Sequence, residues 1–257
     1  MNFESITENI LRLKVPFENI YTAVFLITTN EGAILVDAAA GKYDAEEVIL
    51  PALTKCIDIS DIKYLVCTHL HGDHGGGIRY LLPFLKNAKV AAVSARAIEL
   101  YGEENVRIVR EGDILCGIEV LQLKGHSLDC VGLLDKRTST LILGDAVQLY
   151  GITKYGCGVG FPQEYRKTLA RIYDMNVKRL VASHEYYPLG ADAAGDAVRA
   201  YIDEAIRDFS HVESFVRKNA KSGDAITIAK AFTEDAQKSA PDMPLLQSYT
   251  VKALLAE

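Results

Sequence analysis

The chain has 257 residues, a net charge of -6 and 49% apolar residues. That balance fits one large domain, or one domain with an appendage, and excludes a disordered, fibrous or disulfide-stapled chain. The acidic excess argues against nucleic-acid and anionic-membrane partners, which need a basic face. The N-terminus carries no basic-then-apolar leader and no run is apolar enough to cross a bilayer, so a cytoplasmic protein is expected.

In chain order, Tyr21 to Thr28 and Ala33 to Val36 read as strands joined at Asn30-Glu31-Gly32. Asp44 is expected to cap a helix, with Glu46 and Glu47 in its first turn. Ile62 to Cys67 is an apolar strand-length run, Ile78 to Leu85 a helix and Lys89 to Val93 a strand. Further strands are expected around Val106 to Val109, Ile118 to Leu123, Val131 to Leu134 and Leu141 to Leu143. Pro162 opens a helix to about Tyr173, and Leu180 to Ala182 is the last strand. From 191 to the C-terminus the pattern is helical: Asp192 to Lys218, Ala225 to Asp235 and Leu245 to Leu255, broken at Ser222-Gly223-Asp224 and Pro241-Asp242. Residues 1–190 are therefore read as a mixed α/β domain and 191–257 as a helical segment that can pack on it. The cysteines Cys56, Cys67, Cys116, Cys130 and Cys157 include no C-x-x-C pair. Free thiols are expected, with Cys56, Cys67 and Cys116 as small buried hydrophobes.

Five of the six histidines carry the chemical signal. His69-Leu70-His71-Gly72-Asp73-His74 directly follows the strand Ile62 to Cys67. Two histidines at i and i+2 of extended chain point to one side and can grip one cation, while Asp73 and His74 turn away towards a second. Gly72 and Gly75-Gly76-Gly77 permit the tight backbone this needs. His126, Asp145 and His184 each stand near a strand end, where sites on sheet scaffolds gather. Imidazole with carboxylate suits zinc, iron or manganese. His211 stands apart in the helical tail as a surface side chain.

These residues resemble the metallo-β-lactamase superfamily, through H-x-H-x-D-H and the later Gly-His-Ser, Gly-Asp-Ala and Ser-His elements over most of residues 1 to 190. The resemblance implies an αββα sandwich: two mixed sheets flanked by helices, with two divalent ions, zinc first, at one edge. It assigns His69, His71 and His126 to one ion, Asp73, His74 and His184 to the other, and Asp145 to the bridge. Asp37 matches the acid that supports the ligands, and Asp73 and Asp145 the catalytic carboxylates. The implied activity is hydrolysis of an ester, thioester, lactone or amide in a small substrate, as in the glyoxalase-like and lactonase-like branches. The alternative is a mononuclear or diiron non-haem iron oxidoreductase resembling persulfide dioxygenases. His71 stands where flavodiiron members carry Glu, and there is no room between Asp145 and His184 for the insert of the nucleic-acid-processing branch.

Two departures bear on the substrate. Gly125-His126-Ser127-Leu128-Asp129 replaces the frequent Gly-His-Thr-Pro-Gly, and Ser183-His184-Glu185-Tyr186-Tyr187-Pro188 replaces Gly-His-Gly. Tyr150, Tyr155 and Tyr186 are the candidate substrate contacts, within or beside a glycine-rich, aromatic loop that also holds Lys154 and Cys157. That loop lacks a phosphate-binding pattern, so no nucleotide is expected. A homodimer is the expected assembly.

Overall fold

The computed structural model describes residues 1–18, 20–151, 158–187, 189–235 and 244–257. The chain begins as an antiparallel meander of β1 (Glu4–Ser5), β2 (Ile10–Phe17), β3 (Ile20–Thr29) and β4 (Gly32–Val36). Parallel strands β5 (Ile62–Val66), β6 (Lys89–Ala92) and β7 (Val106–Ile108) extend the same sheet. Parallel neighbours need crossovers, and short helices supply them. A π-helical turn at Asp44–Ile49 runs into α1 (Leu50–Leu53), then come α2 (Gly72–Gly75), α3 (Ile78–Leu81) and α4 (Arg96–Tyr101).

The second sheet holds β8 (Ile114–Leu115), β9 (Ile118–Gln122), β10 (Val131–Asp135), β11 (Thr140–Gly144), β12 (Tyr150–Gly151), β13 (Arg179–Tyr187) and β14 (Gly190–Ala194). Its spatial order is β12-β13-β11-β10-β9-β8, with β14 also paired to β13. The β11–β13 pair is parallel, and α5 (Pro162–Asp174) makes the crossover.

Both faces of each sheet are covered, and strand alternation records it. In β3, Val24 and Leu26 join Leu35, Ile49, Leu65 and Leu81 under the first helical layer. Phe25 and Ile27 point the other way, to Val36, Val66, Val120, Leu133, Ile142 and Val181 between the sheets. Burial on both faces is why β3 reads as a nearly unbroken apolar run. Beyond the second sheet, Leu121, Leu141 and Leu180 pack with Tyr165 and Leu169 of α5 and with Tyr201 and Phe209 of α6 (Ala197–Asn219). The layers run helix, sheet, sheet, helix: the expected αββα sandwich.

α7 (Ala225–Asp235) and α8 (Pro244–Leu255) close the chain. Ile228, Phe232 and Val251 form a small apolar cluster with Val212 and Val216 of α6, and Leu254 touches both this cluster and the main one. Arg166 of α5 binds Glu213 of α6 and, at 2.7 Å, Glu257.

Several expectations need correction. The helical pattern read from Asp192 starts later: residues 190–194 are β14, where Asp192 pairs with Arg12 at 3.0 Å, and α6 begins at Ala197. Asp44 does not cap; its carboxylate accepts the upstream N–H of Ala40 at 3.0 Å. α3 stops at Leu81 although Leu82 keeps helical dihedrals, because Pro83 has no N–H to continue the ladder. β2 and α4 had no counterpart in the sequence reading. Cys56 is exposed, whereas Cys67, Cys116 and Cys130 are buried free thiols. Cys157 lies outside the described residues. No helix among the described residues is long and apolar enough to cross a membrane.

Candidate metal centre

The strand-end loops meet at one edge of the sandwich. After β5 the chain bends at Thr68, and His71 is extended at φ −68° and ψ 151°; His69 and His71 turn to the same side. His69 Nε2 lies 3.0 Å from His71 Nδ1, and His126 Nε2 lies 2.8 Å from the same atom. α2 then reverses the chain and presents Asp73 and His74 to His184, which lies inside β13 rather than after it. Asp73 Oδ2 is 3.4 Å from His74 Nε2 and 3.3 Å from His184 Nε2. Asp145 stands between the groups. Its Oδ1 is 3.5 Å from His74 Nε2 and 3.4 Å from His184 Nε2, and its Oδ2 is 3.8 Å from His126 Nε2.

A second ring fixes the imidazoles. His74 Nδ1 donates to Asp37 Oδ2 at 2.8 Å, and His184 Nδ1 donates to the Tyr21 carbonyl at 2.7 Å. His126 Nδ1 donates to the Gly158 carbonyl. Each bond sets the tautomer and turns Nε2 inward. Thr68 donates both its N–H and its hydroxyl to Asp37 at 2.8 Å, and its Oγ1 lies 3.2 Å from His69 Nδ1. Asp37 has φ +61°, a left-handed conformation that aspartate tolerates better than most residues.

Charge is balanced but packed densely. Burial pushes His69 well down and lowers His126. For His74 burial works the same way, but Asp145, Asp73 and Asp37 outweigh it and push the imidazole well up. His184 is raised to about 9: burial opposes the charge, and Asp145 and Asp73 overcome it. Burial would raise both carboxyls; His74 and His184 hold Asp73 and Asp145 well below the usual range instead.

His74 Nε2 and Asp145 Oδ1 are buried and meet each other only across 3.5 Å, too long for a good hydrogen bond. An unsatisfied buried polar atom costs about 1–3 kcal/mol, and a cation shared between these two satisfies both. Three overlapping donor groups can each hold an ion: His69, His71 and His126; His69, His74 and Asp145; Asp73, His74 and His184. The cluster can hold metal ions.

Its open side is at His71, which is exposed, and Asp73, which is partly so; the other five donors are buried. Beside His71 lies a cavity of about 300 Å³ lined by Leu70, Ser94, Arg96, Leu128 and Asp129. Asp129 accepts the Leu70 N–H at 3.0 Å and the Ser127 hydroxyl, so the departure from Thr-Pro-Gly ties the His126 loop to the His71 loop.

The tyrosine expectations fare differently. Tyr186 is fully buried in the apolar cluster of the second sheet with α5 and α6, so it does not line a cleft. Tyr150 pairs through its backbone with Tyr187, and Tyr155 and Lys154 lie outside the described residues. Thr68, Tyr21, Arg96 and Gln148 were missed. Only Thr68, flanking His69, had a positional signal.

A sequence profile described as the metallo-beta-lactamase superfamily matches residues 19–184. The chain belongs to this superfamily. Within it, the chain is 27% identical over 218 residues to the beta-lactamase-like protein 2 homolog of Caenorhabditis elegans, across 82% of this chain and 70% of the worm protein. It is 26% identical over 161 residues to a hydroxyacylglutathione hydrolase of Francisella tularensis subsp. holarctica. That match covers 60% of this chain and spans little more than half, 56%, of the relative. Among solved structures, a metallo-beta-lactamase family protein of Thermus thermophilus superposes with a TM-score of 0.69 at 17% identity, covering 98% of this chain and 93% of its own. The flavodiiron protein of Giardia intestinalis gives 0.68 at 18% identity, covering 82% and 60%. Both likenesses concern the fold.

Proposed function

We propose that this superfamily member hydrolyses small acyl compounds with two divalent ions, zinc in the first instance. One observation carries the reading: seven donors converge on a shared centre, with Asp145 turning one oxygen towards His74 and His184 and the other towards His126. His69, His71 and His126 would hold one ion, Asp73, His74 and His184 the other, with Asp145 between. Such a pair, when bound, lowers the pKa of water to about 7 and polarises an ester, thioester, lactone or amide carbonyl.

The chain's own residues supply the rest. Asp73 stays ionised at neutral pH and is the donor group's partly exposed carboxylate, placed to orient water and take a proton. Asp37 keeps His74 Nε2 turned inward. Leu70 and Leu128 offer apolar wall to an acyl chain, and Arg96 enters no ion pair among the described residues, which suits a carboxylate on the substrate. Similarity to a hydroxyacylglutathione hydrolase supports a thioester.

The test is a panel of lactones, thioesters, β-lactams and phosphodiesters with zinc-loaded protein. Hydrolysis of an acyl class, lost in His71→Ala and Asp145→Ala, is expected; turnover of phosphodiesters alone contradicts the reading. A second reading, iron-dependent oxidation of a persulfide, draws on the same N/O donor set, which suits iron equally. Iron in the isolated protein and oxygen uptake with a persulfide would select it.

A further inference from the structure

The outer helices reach the metal centre from behind. Gln148, buried three residues after Asp145, donates from Nε2 to Asp145 Oδ2 at 3.2 Å. Its Oε1 accepts the Gly158 N–H at 2.6 Å. A backbone N–H can only donate, so the amide orientation is fixed: oxygen towards Gly158, nitrogen towards the carboxylate. The Gly158 carbonyl in turn accepts from His126 Nδ1. One residue on, the Val159 N–H donates to Thr250 Oγ1 of α8 at 2.8 Å. Tyr165 of α5 pins the other end, its hydroxyl accepting the Gln148 N–H and donating to the Gln148 carbonyl, both at 3.0 Å.

We propose that Gln148 and Thr250 are positioning residues of the metal centre: Thr250 holds Val159, and adjoining Gly158 holds His126 directly and Asp145 through Gln148. The inference rests on the metal reading above and gives the C-terminal helix a task in it. Every group along the path is buried, so no water competes for these bonds, and a shift of α8 is passed to one imidazole and one carboxylate together. None of the bonds along the path is made by His69, His71 or His74. Its loss should therefore loosen the centre at His126 and Asp145 rather than dismantle it.

Cobalt(II) is the probe, because its visible absorption reports ligand geometry independently of turnover. The protein is stripped of metal and titrated with cobalt as wild type, Thr250→Val, Thr250→Ser, Gln148→Met and Val251→Ala. Thr250→Val and Gln148→Met should weaken cobalt binding by about tenfold or more, the usual effect of losing a partner of a ligand, and alter the absorption bands. Thr250→Ser, which keeps the hydroxyl, should restore both. Val251→Ala loosens the same helix and should lower the melting temperature while leaving the bands in place. Wild-type spectrum and affinity in folded Thr250→Val overturn the proposal; should that variant not fold, the same result in Gln148→Met overturns it. Bands altered equally in Val251→Ala and Thr250→Val would mean that α8 acts only through general stability, and would also overturn it. Wild-type protein that takes up no cobalt sinks the metal reading itself, and this proposal with it.

Discussion

His74 donates from Nδ1 to Oδ2 of Asp37 at 2.8 Å, and both side chains are wholly shielded from solvent. This contact joins the strained residue after β4 to the helix that carries two of the candidate ligands. Asp37→Ala would leave the His74 N–H and two Thr68 donors without an acceptor. Each orphan costs about 1–3 kcal/mol, so urea unfolding should show a loss of several kcal/mol. Asp37→Asn keeps the shape but can no longer accept at both oxygens; its metal affinity should fall about 10–100-fold.

Metal uptake should release protons. His184, held up to about 9 by Asp145 and Asp73 against the effect of burial, is largely protonated at pH 7 in the metal-free protein, and His74 is raised in the same sense. An ion needs the neutral imidazole. Apparent zinc affinity, measured against a competing chelator, should therefore climb between pH 7 and 9 by about tenfold per unit for each proton displaced. A raised imidazole pKa stabilises the metal-free fold fully below its ordinary value of about 6.5 and loses that contribution as the pH passes the raised value. The gap in melting temperature between metal-loaded and metal-free protein should widen from pH 7 to 9. A constant gap and flat affinity contradict this.

Gly77 leaves no room for a side chain. A Cβ there would sit 2.0 Å from the Ala38 carbonyl oxygen. The same close approach lets the Gly77 N–H bond Ala39 at 3.1 Å, and Ala38 N–H bond the His74 carbonyl at 2.8 Å. Gly77→Ala must part these two loops, so a destabilisation of about 3 kcal/mol is expected, the upper range for overpacking. Thermal and urea unfolding would measure it.

Arg96 is expected to separate substrates by their charge. Because Arg96 lines the cavity next to His71, Arg96→Ala should raise KM about tenfold or more for acyl substrates that carry a carboxylate. Neutral substrates of the same length should keep their KM. An equal change for both would remove Arg96 from recognition.

Many strands and the first four donors were legible because they are written locally, and the resemblance placed His126, Asp145 and His184. The runs Ala33 to Val36 and Ile62 to Cys67 are apolar at strand length, and His69, His71, Asp73 and His74 lie within six positions. What depends on distant partners was not legible. β2 is interrupted by Arg12 and Lys14, and Arg12 becomes tolerable inside because Asp192 lies opposite at 3.0 Å and Glu4 at 3.7 Å. Tyr186 beside a ligand suggests a cleft wall, yet the packing of α5 and α6 encloses it. Gln148 and Thr250 belong to no motif; their positions across the fold, 102 residues apart by their numbers, give them a shared neighbourhood.

Removal and return of metal decides the matter. Protein dialysed against a chelator, then against zinc, is analysed by elemental mass spectrometry alongside His71→Ala and Asp145→Ala. About two zinc ions per chain are expected for the native sequence, with fewer in each variant and a higher melting temperature for the loaded protein. Less than one ion per chain, unchanged by either substitution, would contradict a metal centre at this edge of the sandwich.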